Sequence, residues 1–190
     1  MINLKKYNLH GKTALITGGA GLLGIQHASA ILEVGGSVVV TDLESSALNK
    51  AREILCESFS QDKIHIQVMD VTDEESICST LKHLSLNKIR VDILINNAAL
   101  DPKVNSNDGI SESSRLESFE LAQWSKELNV GLTGAFLCAK YFGKAMSRDG
   151  LGGVILNISS DLSMISPDQR LYRIDGLDDE LQPVKPVTYS

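Results

Sequence analysis

Short apolar runs and stretches of helical periodicity take turns along most of the chain. Ala14 to Ile16 is apolar enough for a buried strand and breaks at once into glycine, and Ile25 to Val34 then has the apolar spacing of a helix. Val38 to Val40 is a second buried-strand run, followed by Ser45 to Ser58, where Ala47, Leu48, Ala51, Ile54 and Leu55 make one apolar helix face. Ile64 to Val68 alternates as a third strand. Thr72 stands three residues before Glu75, the spacing of a helix-opening capping box, and Ile77, Leu81 and Leu84 supply the inward stripe of that helix. Val91 to Ile95 is a fourth strand, Trp124 to Met146 a long helical stretch, and Gly153 to Ile158 a fifth, buried strand. Alternation of this kind requires right-handed crossovers and a parallel sheet, so the pattern predicts an α/β fold, doubly wound, with helices on both faces of the sheet in three layers.

The interruptions are informative too. Leu100 to Ser114 is polar and turn-rich, a loop at the carboxyl edge of the sheet, where open α/β folds bind ligands. Gly131, Gly134, Ala135 and Ala139 make the long helix thin enough for close approach to a neighbour, and Asn129 interrupts it, because its side chain competes with the backbone for hydrogen bonds. Residues 161–188 hold three of the chain's four prolines and the acidic run Asp178-Asp179-Glu180. With little apolar area to anchor it, this segment is expected to be an inserted loop or lid that closes over a ligand. The 190 residues otherwise suit one domain, with no internal repeat.

Composition excludes several classes. A formal net charge of −6, with scattered lysines and arginines, argues against a sequence-independent grip on nucleic acid. Thr13 to Leu32 has no Asp, Glu, Lys or Arg, but its glycines, Gln26 and His27 are too polar for a membrane span, and no signal peptide is evident. Cys56, Cys78 and Cys138 are widely spaced and read as ordinary thiols of a reducing cytoplasm, and no metal site is expected. Asn157-Ile158-Ser159 matches a glycosylation sequon only by accident, since it lies in the expected buried fifth strand.

The chemistry concentrates at the first break. Gly19-x-Gly21-x-x-Gly24 has the spacing in which one glycine allows a tight turn, the next admits backbone close to a pyrophosphate, and the last packs a helix against the strand. The helix beginning there would face phosphates with its amides and its positive dipole end. A nucleoside-triphosphate loop is excluded, because Ile25-Gln26 stands where Lys and Ser or Thr are needed. Asp42, about twenty residues beyond, closes the second strand where a ribose-binding carboxylate is expected.

Taken jointly, Thr17-Gly18-x-x-Gly21-x-x-Gly24, Asp42, Asp70-Val71, Asn96-Asn97-Ala98, Asn129, Ser160 and Tyr189 resemble the short-chain dehydrogenase/reductase family, over the whole chain. The resemblance implies a Rossmann fold, an NAD cofactor, an alcohol or ketone substrate, and a homo-oligomeric parent. It implies a cofactor site of Gly18, Gly21, Leu22, Leu23, Gly24, Asp42, Leu43, Asp70, Val71, Asn97 and Ala98. Asp42 would bind the adenosine ribose, Asp70 and Val71 border the adenine, and Asn97 line the nicotinamide side. Ser160 and Tyr189 would polarise the substrate oxygen, while Asn129 would help hold a proton-relay water. Each residue also has a structural reading: Asp42 and Asp70 ending strands, Asn97 making a turn, Ser160 capping the segment after it.

The sequence departs from the family in three places. Leu22 stands where shorter members often place their middle glycine, a spacing shared with enzymes of nucleotide sugars. Ser160 and Tyr189 lie unusually far apart; Tyr172 is nearer the usual distance, but Gly176 stands where lysine belongs. The Tyr-x-x-x-Lys motif is cut after Ser190, so the chain is expected to lack its C-terminal elements and to be inactive alone. The first reading is an NAD-dependent oxidoreductase of a polar hydroxy compound or sugar; a nucleotide-sugar epimerase or dehydratase, or a non-catalytic dinucleotide-binding module, are the alternatives.

Overall fold

A computed structural model describes residues 4–100, 115–148, 150–185 and 187–189, with the side chains of 4, 5 and 189 excepted. Most of the expected loop after Leu100, and the side chain of Tyr189, lie outside the described residues. The chain divides into two compact units, one of Met1–Ala99 and Val130–Ile158, the other of Leu100–Asn129 and Ser159–Ser190.

The first unit is built on β1 (Thr13–Thr17), β2 (Ser37–Asp42), β3 (Ile64–Val68), β4 (Ile93–Asn96) and β5 (Val154–Asn157), all parallel in the order β3-β2-β1-β4-β5. Its helices are α1 (Leu22–Glu33), α2 (Ser45–Cys56), α3 (Glu74–Leu86) and α5 (Gly134–Arg148), α4 (Leu121–Leu128) belonging to the second unit. Apolar side chains two residues apart leave a strand on the same face, and this sorts the core into two layers. Ile16, Val38, Val40 and Ile95 face Ala28 and Leu32 of α1 and Leu48 and Leu55 of α2. Leu15, Val39 and Leu94 face Ile77 and Leu84 of α3 and Leu137, Phe142 and Met146 of α5. The predicted three layers are therefore present, and β1 lies between β2 and β4 at the point where the winding reverses.

Several local expectations are corrected. Asp73, not Thr72, caps α3, its side chain accepting from the Glu75 amide at 2.9 Å. Thr72 is taken instead by Asp70, whose Oδ1 accepts from the Thr72 amide at 2.8 Å and its hydroxyl at 2.7 Å. The long helix is divided, as the competing amide of Asn129 suggested: a π-helical turn over Asn129–Thr133 joins α4 to α5. Gly134 fulfils the close approach, since a Cβ there would lie 2.7 Å from Val71 Cγ2, whereas Gly131 has open space beside it. Ile54, expected inward, is 40% exposed.

Strand β5 is not buried: Val154, Ile155 and Leu156 are 60%, 40% and 48% exposed. It ends the strand order and pairs only with β4 among the described residues, and an apolar run cannot tell an edge strand from a central one. Asn157 is exposed as well, which removes burial as the ground for dismissing its sequon; its Oδ1 accepts from Asn96 Nδ2 at 2.8 Å.

The second unit is held largely by hydrogen bonds. Gln182, 7% exposed, accepts from the Ile174 amide at 2.8 Å and donates to the carbonyls of Ile174 and Leu177 at 2.9 and 2.6 Å. Arg115 donates to the carbonyls of Asp179 and Gln182, each at 3.1 Å. Met164 and Leu171 are more than four-fifths exposed, at 87% and 81%, so apolar burial contributes little along this segment.

Among the described residues no helix is long and apolar enough to cross a membrane. Cys138 lies in the core, and burial pushes its thiol up to about 12, while Cys56 and Cys78 are exposed. At about pH 8 a thiol of that pKa is ionised on the order of once in ten thousand. Iodoacetamide should therefore modify Cys56 and Cys78 in the native protein and reach Cys138 only after denaturation. Mass spectrometry of the intact protein checks this; rapid native labelling of Cys138 would contradict the core described here.

Candidate dinucleotide site

The turn after β1 is shaped by missing side chains. Gly18 has φ +59°, and a Cβ there would sit 2.9 Å from Ala98 Cα. At Gly19 a Cβ would meet Val40 Cγ1 at 2.7 Å and the Ile16 carbonyl at 2.9 Å. At Gly24, within the first turn of α1, it would meet Gly19 Cα at 2.5 Å and the Gly18 carbonyl at 2.6 Å. These three positions exclude a side chain because the chain packs on itself there. Gly21 differs, since a Cβ would have only the Gly18 carbonyl, at 3.3 Å, within reach.

Helix α1 begins directly on this turn. Gly21 is its N-cap and has no side chain to satisfy the first amides; the Ile25 amide is the first to find a backbone partner, the Gly21 carbonyl at 3.1 Å. Leu22 and Leu23 in the first turn are 81% and 56% exposed. Across from them Asp42 ends β2, its Oδ2 accepting from the Ala20 amide at 3.1 Å and its Oδ1 from the Leu43 amide at 2.8 Å. The carboxylate thus belongs to the glycine turn as much as to its own strand.

Asn97 and Ala98 reach the same turn from β4. The Asn97 amide donates to the carbonyls of Thr17 and Gly18 at 3.0 and 3.1 Å. Thr17, 1% exposed, accepts with one hydroxyl from the backbone amides of Asn97 and Ala98, both at 3.0 Å. Sequence reasoning gave Thr17 no role. The available signal was a hydroxyl closing an apolar strand, since a buried polar atom needs partners. Thr41 acts similarly, donating to the Ile16 carbonyl at 3.1 Å.

Asp70 and Val71 follow β3 at the same carboxyl edge, where the Met69 amide donates to the Asp42 carbonyl at 3.0 Å. Beyond its Thr72 contacts, Asp70 donates its own amide to Ser76 Oγ at 2.9 Å.

Asn129, Ser160 and Tyr189 all fall in the second unit. Asn129 opens the π turn, a form of helix found often at functional sites. Ser160 accepts from the Leu162 amide at 3.1 Å and caps a short 3-10 turn over Asp161–Ser163, as its structural reading anticipated. Tyr189 ends a 3-10 turn over Val187–Tyr189. Among the described residues no three His, Cys, Asp or Glu side chains are grouped to hold a metal ion.

Replacing Thr17 by Val keeps the volume and removes the acceptor, leaving two part-buried amides unpaired. The expected cost is about 2 kcal/mol or more in unfolding free energy, against a much smaller loss for Thr17→Ser. Urea denaturation of the two variants measures it, and an equal loss in both would show that the hydroxyl bonds contribute nothing.

Residues 12–172 match the short chain dehydrogenase family. An uncharacterized oxidoreductase of Thermotoga maritima is 33% identical over 165 residues, which are 86% of this chain and 59% of that protein. Sorbitol-6-phosphate 2-dehydrogenase of Escherichia coli is 31% identical over 150 residues, 78% of this chain and 54% of the relative. The crystal structure of NAD+-bound xylitol dehydrogenase superposes with a TM-score of 0.71 at 25% identity, covering 84% of this chain and 56% of that one. The chain therefore spans between half and three-fifths of the length of these three proteins. Since the glycine turn, the Asp42 carboxylate and the Thr17–Asn97 tie all lie inside the matched span, the chain belongs to the short chain dehydrogenase family.

Proposed function

We propose that the chain forms a dinucleotide-binding domain of an NAD(H)-dependent oxidoreductase acting on the hydroxyl or ketone carbon of a polyol or sugar-like compound. The observation that carries the reading is the Asp42 carboxylate bonded to the Ala20 amide beside an uncapped helix start. A dinucleotide fits these residues. With no side chain at Gly21, a pyrophosphate can approach the first-turn amides of α1, and Asp42 offers a carboxylate to a ribose diol. Gly18, Leu22, Leu23, Gly24 and Leu43 border the same place, and Asp70, Val71, Asn97 and Ala98 complete the carboxyl edge. The polyol class rests on relatives that act on sorbitol 6-phosphate and xylitol.

When bound, the nicotinamide supplies the acceptor for a two-electron hydride. In the proposed chemistry the Tyr189 phenolate takes the proton of the substrate hydroxyl as its carbon gives up hydride, and Ser160 Oγ hydrogen-bonds the same oxygen. Asn129 would hold a water that passes the proton onward, at the point where regular helical bonding is interrupted. The segment 161–188 would serve as the lid. A homo-oligomer is part of the reading, supported by Leu132 and Phe136, which are 67% and 63% exposed. So is a reducing, cytoplasmic setting, supported by three free cysteines.

Calorimetric titration tests the cofactor. A 2′-phosphate against Asp42 is repelled, so NAD+ should bind roughly a hundredfold more tightly than NADP+, and Asp42→Ala should bring the ratio within about tenfold. Equal or tighter NADP+ binding by the native protein would sink the assignment.

The catalytic assignment is tested separately. In the active enzyme Tyr189→Phe should lower kcat by about a hundredfold or more while leaving NAD+ affinity unchanged. Undiminished turnover would remove Tyr189 from the chemistry, and intact NAD+ binding without any turnover would favour a non-catalytic binding module.

A further inference from the structure

A cleft of about 380 Å³ opens at the edge of the sheet, between β3, α2 and α3, and shares no residue with the glycine turn, Asp42, Asp70 or Asn97. Its floor is core: Val39, Leu84 and Ile89. Its polar wall is made by Arg52, His65, Gln67, His83 and Asn87, with no carboxylate among the lining residues. That composition is unusual for this chain, in which 24 Asp and Glu outnumber 18 Lys and Arg.

Arg52 is part-buried, and among the described residues no carboxylate or carbonyl accepts from its guanidinium. Asn87 lies 3.3 Å from His83 Nε2 and donates to the His83 carbonyl at 2.9 Å. Burial and then the neighbouring Arg52 hold His65 below its ordinary imidazole range, opposed by Asp62, which lies outside the lining and is bonded to the Ser60 hydroxyl. The carboxyl end of α3 carries partial negative charge that works against an anion, and Asn87 offsets it by occupying the His83 carbonyl.

We propose that this cleft is a second binding site, for a small organic anion with a carboxylate or phosphate head and a short apolar body. The guanidinium of Arg52 takes the head, the His65 and His83 rings flank it, and the part-exposed Ile66 and Ile89 take the body. Arginine suits this because its planar fork matches either head group, and the volume falls within the range of small-molecule sites.

The ring C–H resonances of the four histidines, followed by NMR in the full chain, test the proposal with benzoate, phenyl phosphate and the neutral benzyl alcohol. Both anions should shift His65 and His83 saturably and leave His10 and His27 unmoved, while benzyl alcohol shifts neither. Arg52→Gln should weaken the anions by at least about tenfold, with circular dichroism confirming that the variant is folded. If that variant does not fold, the contrast between benzoate and benzyl alcohol in the native protein decides. No saturable shift, equal shifts at all four histidines, equal response to benzyl alcohol, or undiminished binding by folded Arg52→Gln would each overturn the site.

Discussion

Helix α1 meets the end of β1 at backbone contact, and the candidate site exists only because nothing intervenes. A Cβ at Gly24 would fall 2.5 Å from Gly19 Cα, so even alanine would push the helix start outward. That displacement would carry the first-turn amides away from Asp42 and break the register in which Ala20 donates to Oδ2. The same turn is anchored below by the Thr17 hydroxyl and on its far side by the Asn97 amide. Three strand ends are therefore locked into one object, and the reversal of winding between β1 and β4 is what puts them side by side.

Much of this was legible because it is local. The runs at Ala14 to Ile16 and Val38 to Val40, the helical face of α2 and the glycine spacing are written within a few residues of one another, and the strands and helices formed where they predict. Asp42 could be picked out because a fixed crossover length separates it from the turn it serves. The hidden part depends on residues far apart in sequence. The bonds from Asn97 and Ala98 to Thr17 span 80 and 81 positions, so beyond its hydroxyl at the end of an apolar run nothing local identifies Thr17 as a hub. Thr72 lost its capping role to a local competition, since Asp70 takes its hydroxyl and Asp73 is left to accept from Glu75. The apolar run of β5 carries no record of its place at the end of the strand order.

The two units are stabilised differently. In the first, side chains such as Phe142, Leu15 and Ile77 are fully withdrawn from water, each contributing roughly 1.5–3 kcal/mol by transfer. In the second, Gln182 and Arg115 satisfy backbone groups of a chain with little apolar cover, and a neutral bond of the Gln182 kind adds only about 1 kcal/mol net. Local opening should therefore begin in the second unit, which holds Asn129, Ser160 and Tyr189, well before the sheet yields.

Under the proposed NAD(H) reading, the doubly bonded carboxylate of Asp42 would tie cofactor specificity to architecture. One oxygen receives the Ala20 amide and the other the Leu43 amide, so the residue that would discriminate between cofactors is also a clasp across the turn. Altering cofactor preference by an apolar replacement would unfasten that clasp, whereas asparagine would retain a single acceptor and drop the charge. Evolution or engineering at this position thus moves along a line where selectivity and turn rigidity change together, and a productive switch requires a second substitution that gives the Ala20 amide a new partner.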